Sequence, residues 1–186
     1  MGELRERQDY PVDAVRRFLE PGPTVLVSSA WQGETNVMTL GWHIVLDLKP
    51  SLVGLRIHAS THSHAMIRDS GECVINLPTT ALTDAVVGIG NCSGREVDKF
   101  ARFDLTKQPA AMVGAPLIGE CHACFECRLH DETLAARYNF FVFEVVKAHV
   151  APLPDHPETL HYTGDCTFML AGRTISRREL FHREMV

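Results

Sequence analysis

No stretch of this 186-residue chain approaches the ~20 successive apolar residues that a membrane span takes, so no membrane association is expected. Charge of one sign is also scarce. Eighteen Lys and Arg against 23 Asp and Glu leave a net −5, which removes the electrostatic reason to expect nucleic acid. Where basic residues do gather, at Arg173, Arg177 and Arg178, Glu179 and Glu184 stand beside them, the pattern of a solvated face. The opening Met1–Arg7 is too charged for a secretory leader, and a cytoplasmic location is expected. Repeats and low-complexity tracts are absent. With 45% hydrophobic and 22% charged residues, the chain reads as one globular domain, 1–186.

Other absences narrow the chemistry. Six cysteines occur, but without a secretion signal they read as reduced thiols and not as a disulfide framework. Cys121, Cys124 and Cys127 resemble a metal motif in spacing alone. On a strand, Cys121 and Cys127 would face one side and Cys124 the other, and no second C-x-x-C completes a tetrahedral set. His58, His62 and His64 have no paired carboxylates nearby, so no metal site is expected. The run Gly88-Ile89-Gly90-Asn91-Cys92-Ser93-Gly94 misplaces its third glycine for a dinucleotide fingerprint and follows a helix-like segment. Ser93 lacks the G-x-S-x-G surroundings of a hydrolase nucleophile.

What is present is mostly strand. Pro11 to Glu20 reads as a short amphipathic helix with Val12, Val15, Phe18 and Leu19 on one face, ended by Pro21-Gly22-Pro23. Strand-like runs follow at Thr24–Trp31, Val37–Leu46, Leu52–His58 and Glu72–Leu77, the first two joined by a hairpin signal at Gln32-Gly33-Glu34. Helical patterns interrupt at Ser63–Asp69, Ala81–Gly88 and Glu96–Phe103. Long strands are expected at Glu120–His130 and Asn139–His149, then a proline-rich loop, two short strands and a tail from about 171 to 186. Phe140-Phe141-Val142-Phe143 has no polar alternation and reads as buried on both faces. The expected architecture is mainly β (α+β): an antiparallel barrel with short peripheral helices. Strand–helix alternation is too irregular for a doubly wound parallel sheet.

Three segments carry the candidate chemistry. Asn36-Val37-Met38-Thr39-Leu40-Gly41-Trp42 combines amides, a hydroxyl and a flat ring on what reads as one strand, as a planar heteroaromatic ligand requires. His58 to Ile67 ends a strand and opens a helix. Ser60 or Thr61 suits its N-cap and Gly71 its end, so free N–H groups at Ser60, Thr61, His62 and Ser63 would seat a phosphate. Ser93-Gly94-Arg95-Glu96-Val97-Asp98-Lys99-Phe100 could bring Lys99 or Arg95 to the same anion, with Asp98 orienting the segment.

From about Pro21 to about Leu170 these motifs, in this order, resemble the flavoredoxin-like branch of the flavin reductase-like family, whose members bind FMN in a split β-barrel. The resemblance implies FMN contacts from Asn36, Val37, Met38, Thr39, Trp42, Ser60, Thr61, His62, Ser63 and Lys99, with Phe168 covering the ring. It also implies a homodimer with the cofactor near the interface. Two positions depart from the family. Thr61 stands where an Arg is common, which leaves charge neutralisation to Lys99, Arg95 or a protonated His62. Tyr138 stands for a His and keeps a hydrogen-bonding edge without a proton switch near neutrality. The implied activity is FMN-dependent oxidoreduction with NADH or NADPH as donor, or transfer to a redox partner protein. Two alternatives stand beside it: a non-catalytic FMN electron carrier, and a barrel that has lost its flavin.

Overall fold

A computed structural model describes residues 5–15, 22–164 and 166–182. The dominant element is an eight-stranded, wholly antiparallel sheet. Its strands are β1 (Gln8–Tyr10), β2 (Val25–Trp31), β3 (Glu34–Leu40), β4 (His43–Leu48), β5 (Ser51–Arg56), β6 (Glu72–Leu77), β9 (Ala123–Asp131) and β10 (Phe140–Val150). They run in the order β3-β2-β6-β9-β10-β5-β4, with β1 also on β10. Outside this sheet lie two small pairs, β7 (Lys107–Gln108) with β8 (Leu117–Ile118), and β11 (Leu160–Gly164) with β12 (Thr167–Leu170). The helices are α1 (His62–Ser70), α2 (Thr83–Gly90), α3 (Lys99–Arg102) and α4 (Ala135–Tyr138). This is a split barrel with short helices.

Alternation along the strands builds two cores. Val25 and Val27, Met38 and Leu40, Cys73 and Ile75, and Phe125 and Cys127 point into the barrel. Their neighbours Leu26, Val37, Val74 and Cys124 point outward, beneath Val86, Ile89 and Phe100 of the helices. Two-sided burial is why Val25-Leu26-Val27 of β2 and Cys73-Val74-Ile75 of β6 show no polar alternation. Among the described residues, the half of the sheet made by β4, β5 and β10 carries no such outer layer, and Ile44, Leu46 and Leu48 are exposed at 53%, 45% and 43%.

Local signals fix the ends of elements. Gln32 and Gly33, both at positive φ (49° and 85°), make the tight β2–β3 hairpin. Thr61 is the N-cap of α1, its hydroxyl accepting from the His64 amide at 3.2 Å, a contact worth about 1 kcal/mol. Gly71 closes that helix at φ 68°, where a side chain would be strained.

Four expectations need correction. Val37–Leu46 is not one strand: the chain leaves β3 at Leu40, passes Gly41-Trp42 without strand pairing, and restarts as β4 on the opposite end of the sheet. Within Phe140–Phe143, only Phe141 and Phe143 are buried; Phe140 and Val142 face the uncovered side. Cys121 precedes β9 and joins Cys124 in the outer core, while Cys127 lies inside, so the thiol facing differs from simple strand parity. Of the expected helix at Pro11–Glu20, Val12–Ala14 forms a single 3-10 turn; residues 16–20, with Phe18 and Leu19, lie outside the described residues.

Candidate functional site

One cleft of about 350 Å³ collects most of the candidate residues: Asn36, Met38 and Thr39 from β3, Ser60 to Ser63 at the start of α1, the Gly90–Gly94 loop after α2, and Lys99 at the start of α3. The outer face of β3 packs against α2, and α1 and α3 also contact that strand, so the walls follow directly from the sheet.

Its deepest polar pair is Asn36 and Ser63. Both are buried, and the Asn36 side-chain amide donates to the Ser63 hydroxyl at 2.9 Å. Gly94 rests on the same carboxamide, where any Cβ would come within 2.6 Å of Asn36 Cγ, so only glycine lets the loop lie this close. Arg95 then ties the loop across to the other wall, donating to the Ser60 carbonyl at 3.1 Å. Thr39 spends its hydroxyl proton on the Val86 carbonyl at 2.6 Å, leaving it an acceptor toward the cleft.

Lys99 is the electrostatic centre. It is 6% exposed, and its ammonium donates to the Ile89 carbonyl at 2.9 Å. Among the described residues no carboxylate pairs with it, Glu96 included. Burial pushes its pKa below the ordinary value, with the nearby Cys92 thiol opposing the shift. Asp98 sets this position by capping α3, its carboxylate accepting from the amides of Phe100 and Ala101 at 2.9 and 3.2 Å. The N-terminus of α1 lines the same cleft, and its first-turn amides at His62 and Ser63 have no acceptor within the helix. His62 also sits 3.8 Å from the Glu34 carboxylate. A buried ammonium and a helix N-terminus on one cleft, lined also by an amide, hydroxyls and Glu96, can seat an anion beside a polar slot.

Four candidates lie elsewhere. Val37 faces the outer core. Trp42, 65% exposed, lines an adjoining groove with Arg56 and His58, which shares Met38, Thr39 and Thr61 with the cleft. Tyr138 ends α4 on a further groove. Phe168 packs on the outer core with Tyr162, ring centroids 5.3 Å apart. Conversely, Asn91 and Cys92 line the cleft without having been singled out as contacts. Their signal was the glycine-rich run, set aside for its poor match to a dinucleotide fingerprint. No group of three or more His, Cys, Asp or Glu positioned for a metal occurs among the described residues.

Residues 16–168 match the model of the flavin reductase like domain. The chain belongs to the flavin reductase-like family. It is 30% identical over 174 residues to YddH, an uncharacterized protein of Escherichia coli strain K12, covering 86% of this chain and 92% of that one. An uncharacterized protein of Archaeoglobus fulgidus is 34% identical over 129 residues, 69% of this chain and 72% of the relative. Among solved structures, an FMN-binding domain of a flavin reductases-like enzyme from Shewanella baltica OS155 superposes with a TM-score of 0.86. It is 25% identical and covers 94% of this chain and 98% of its own. Flavoredoxin of Desulfovibrio vulgaris (Miyazaki F) shares the fold at a TM-score of 0.77 and 22% identity, covering 84% and 90%. Family membership makes this an oxidoreductase-type fold, and the split barrel is the architecture common to these structures.

Proposed function

We propose that the cleft holds FMN and that the protein is an NAD(P)H-dependent flavin oxidoreductase. One observation carries this: Lys99, a buried cation with no carboxylate paired to it among the described residues, shares a cleft with the start of α1. An ammonium held out of water is unfavourable by itself and calls for an anion. The family match and the FMN-binding Shewanella relative indicate which anion.

The residues present fit such a group. Lys99 and the His62 and Ser63 amides would meet the phosphate tail, which answers the Thr61 departure by supplying the missing positive charge from α3. Asn36, fixed by Ser63, and Met38 form a rigid polar and apolar wall. Gly94 lies close against Asn36, and Arg95 ties its loop to the Ser60 carbonyl across the cleft. None of these side chains is required to gain or lose a proton. When bound, FMN supplies hydride acceptance at N5 and onward electron transfer. The exposed apolar stripe of Ile44, Leu46 and Leu48 on the edge strand β4 fits a second copy of the chain, consistent with a homodimer.

The test is the absorption spectrum of purified protein, then titration with FMN and steady-state oxidation of NADH and NADPH. A flavin spectrum with donor turnover is expected. Flavin binding without turnover would make the protein an electron carrier to a redox partner, and no flavin uptake would end the proposal.

A further inference from the structure

The segment matched by the flavin reductase like domain ends at residue 168, and the chain beyond it leaves its own barrel. Ala171 makes the last tie, its amide donating to the Thr159 carbonyl at 3.0 Å. Among the described residues, the hydrogen bonds of 172–182 then run within the segment: the Leu180 and Phe181 amides donate to the Arg177 and Arg178 carbonyls, and Arg177 to the Ser176 carbonyl. All of 172–182 is exposed, including Ile175 at 72%, Leu180 at 74% and Phe181 at 57%. A single exposed leucine is ordinary, but three large apolar side chains within 175–181, none of them in either core, need a surface to meet.

Its charge is unmet as well. Arg173, Arg177 and Arg178 stand beside Glu179 alone, and no ion pair holds them among the described residues. Since the whole chain carries −5, the barrel without this basic segment is more acidic still. That barrel also has an uncovered apolar stripe: Ile44, Leu46 and Leu48 are exposed along β4, the last strand of the sheet, with the acidic Asp47 between the two leucines in sequence. Extended at ~3.3 Å per residue, 172–182 reaches about 36 Å, roughly the width of a barrel whose radius of gyration is ~16 Å. A second copy of the chain supplies the acidic body and the apolar edge together, and a two-fold axis lets each chain give and receive the same contact.

We propose that residues 172–182 are an exchanged arm: in a dimer, each chain lays Ile175, Leu180 and Phe181 on the β4 stripe of the other, with its arginines against the partner's acidic barrel. This rests on the homodimer reading above, adds the element that joins the two copies, and is independent of the flavin.

The test is sedimentation of the full chain at micromolar concentration beside two full-length variants, Leu46→Lys and the triple Ile175→Glu/Leu180→Glu/Phe181→Glu. Wild type should be a dimer. Each variant should raise the dimer dissociation constant about tenfold or more, the effect of losing one well-buried apolar side chain. Melting of the dilute monomers should not change, because the altered side chains are exposed. Mixing the variants decides exchange. A mixed pair keeps one intact contact, from the arm of the Leu46→Lys chain to the stripe of the arm variant, whereas neither variant alone has any. The mixture should therefore dimerise more tightly than either component. A monomeric wild type overturns the homodimer reading and the arm with it. An arm variant that dimerises like wild type overturns the arm and leaves the homodimer standing. A lowered melting temperature in the dilute arm variant would place the arm on its own barrel, and a mixture no tighter than its components would deny exchange; either overturns the inference.

Discussion

Asn36 and Ser63 lie 27 residues apart, yet a 2.9 Å hydrogen bond joins them in the buried floor of the cleft. The bond fastens β3 to the first turn of α1, so the polar slot and the anion seat move as one unit. Asn36→Ala would leave the Ser63 hydroxyl without its donor and open space beneath Gly94. A loss of about 1–3 kcal/mol is expected, with weaker FMN binding. Ser63→Ala should cost less, because it removes the smaller group. A double-mutant cycle by denaturant melts should give a coupling of at least about 0.5 kcal/mol. Additive effects would mean that the two residues act independently.

Lys99 should show opposite effects on stability and on binding. Its burial lowers its pKa, which means that the fold holds the ammonium at a cost. Lys99→Met should therefore keep or raise the melting temperature of the flavin-free protein while weakening FMN about tenfold or more. Below its folded-state pKa the lysine is charged in both states. As pH climbs from that value toward 10.5, the unfolded chain alone keeps the proton, and stability of the flavin-free protein should rise. FMN affinity should move the other way over this alkaline stretch, and the loss should vanish in Lys99→Met. A flat affinity profile in wild type would remove Lys99 from the anion seat.

Most of the barrel was legible because strand period and turn chemistry act locally. Glu72–Leu77 was predicted as observed, and the Gln32-Gly33 turn and the Gly71 stop announced themselves through residues that tolerate positive φ. The break at Gly41-Trp42 was not legible, since alternating apolar residues continue through Val45 and Leu46 and periodicity carries no sign of a chain leaving its sheet partner. That break is why Trp42 borders a different groove from Asn36. Tyr138 was displaced for a similar reason: the four-residue α4 is too short to leave a periodic trace, and it ends at Asn139 with φ 54° before β10 begins. The cleft itself was largely legible, because its anion-binding groups lie in short segments whose capping residues, Thr61 and Asp98, are visible in sequence.

His122 gives a pH signature away from the cleft. Burial, then the positive charges of Arg5 and Arg7, push its imidazole pKa down to about 4 from 6.5. Between these values the unfolded chain binds more protons, so stability should fall as pH drops from 6.5 toward 4. One such group gives a slope of at most about 1.4 kcal/mol per pH unit. Glu126 acts in a lower window. Burial raises its pKa, but the Ala111 and Met112 amides and His149 outweigh that and hold it below 4.5. Urea midpoints measured from pH 7 to 4 should therefore decline in wild type and decline less in His122→Phe. An unchanged slope in the variant would assign the acid sensitivity to other groups.

The edge strand β4 yields the last prediction. Ile44, Leu46 and Leu48 are exposed along it, with a register shift between Val45 and Asp47, and Val142 lies across Gly54 from Ile44. An edge with this much exposed apolar surface invites pairing unless something covers it. Leu46→Lys places a charge in the middle of the stripe without disturbing the buried face of the sheet, so the monomer should keep its melting temperature within about 0.5 kcal/mol of stability. Sedimentation should show a dimer for wild type and a monomer for the variant, with FMN affinity measured alongside. A wild-type chain that sediments as a monomer at micromolar concentration would leave the stripe to some other surface and decouple it from the cleft.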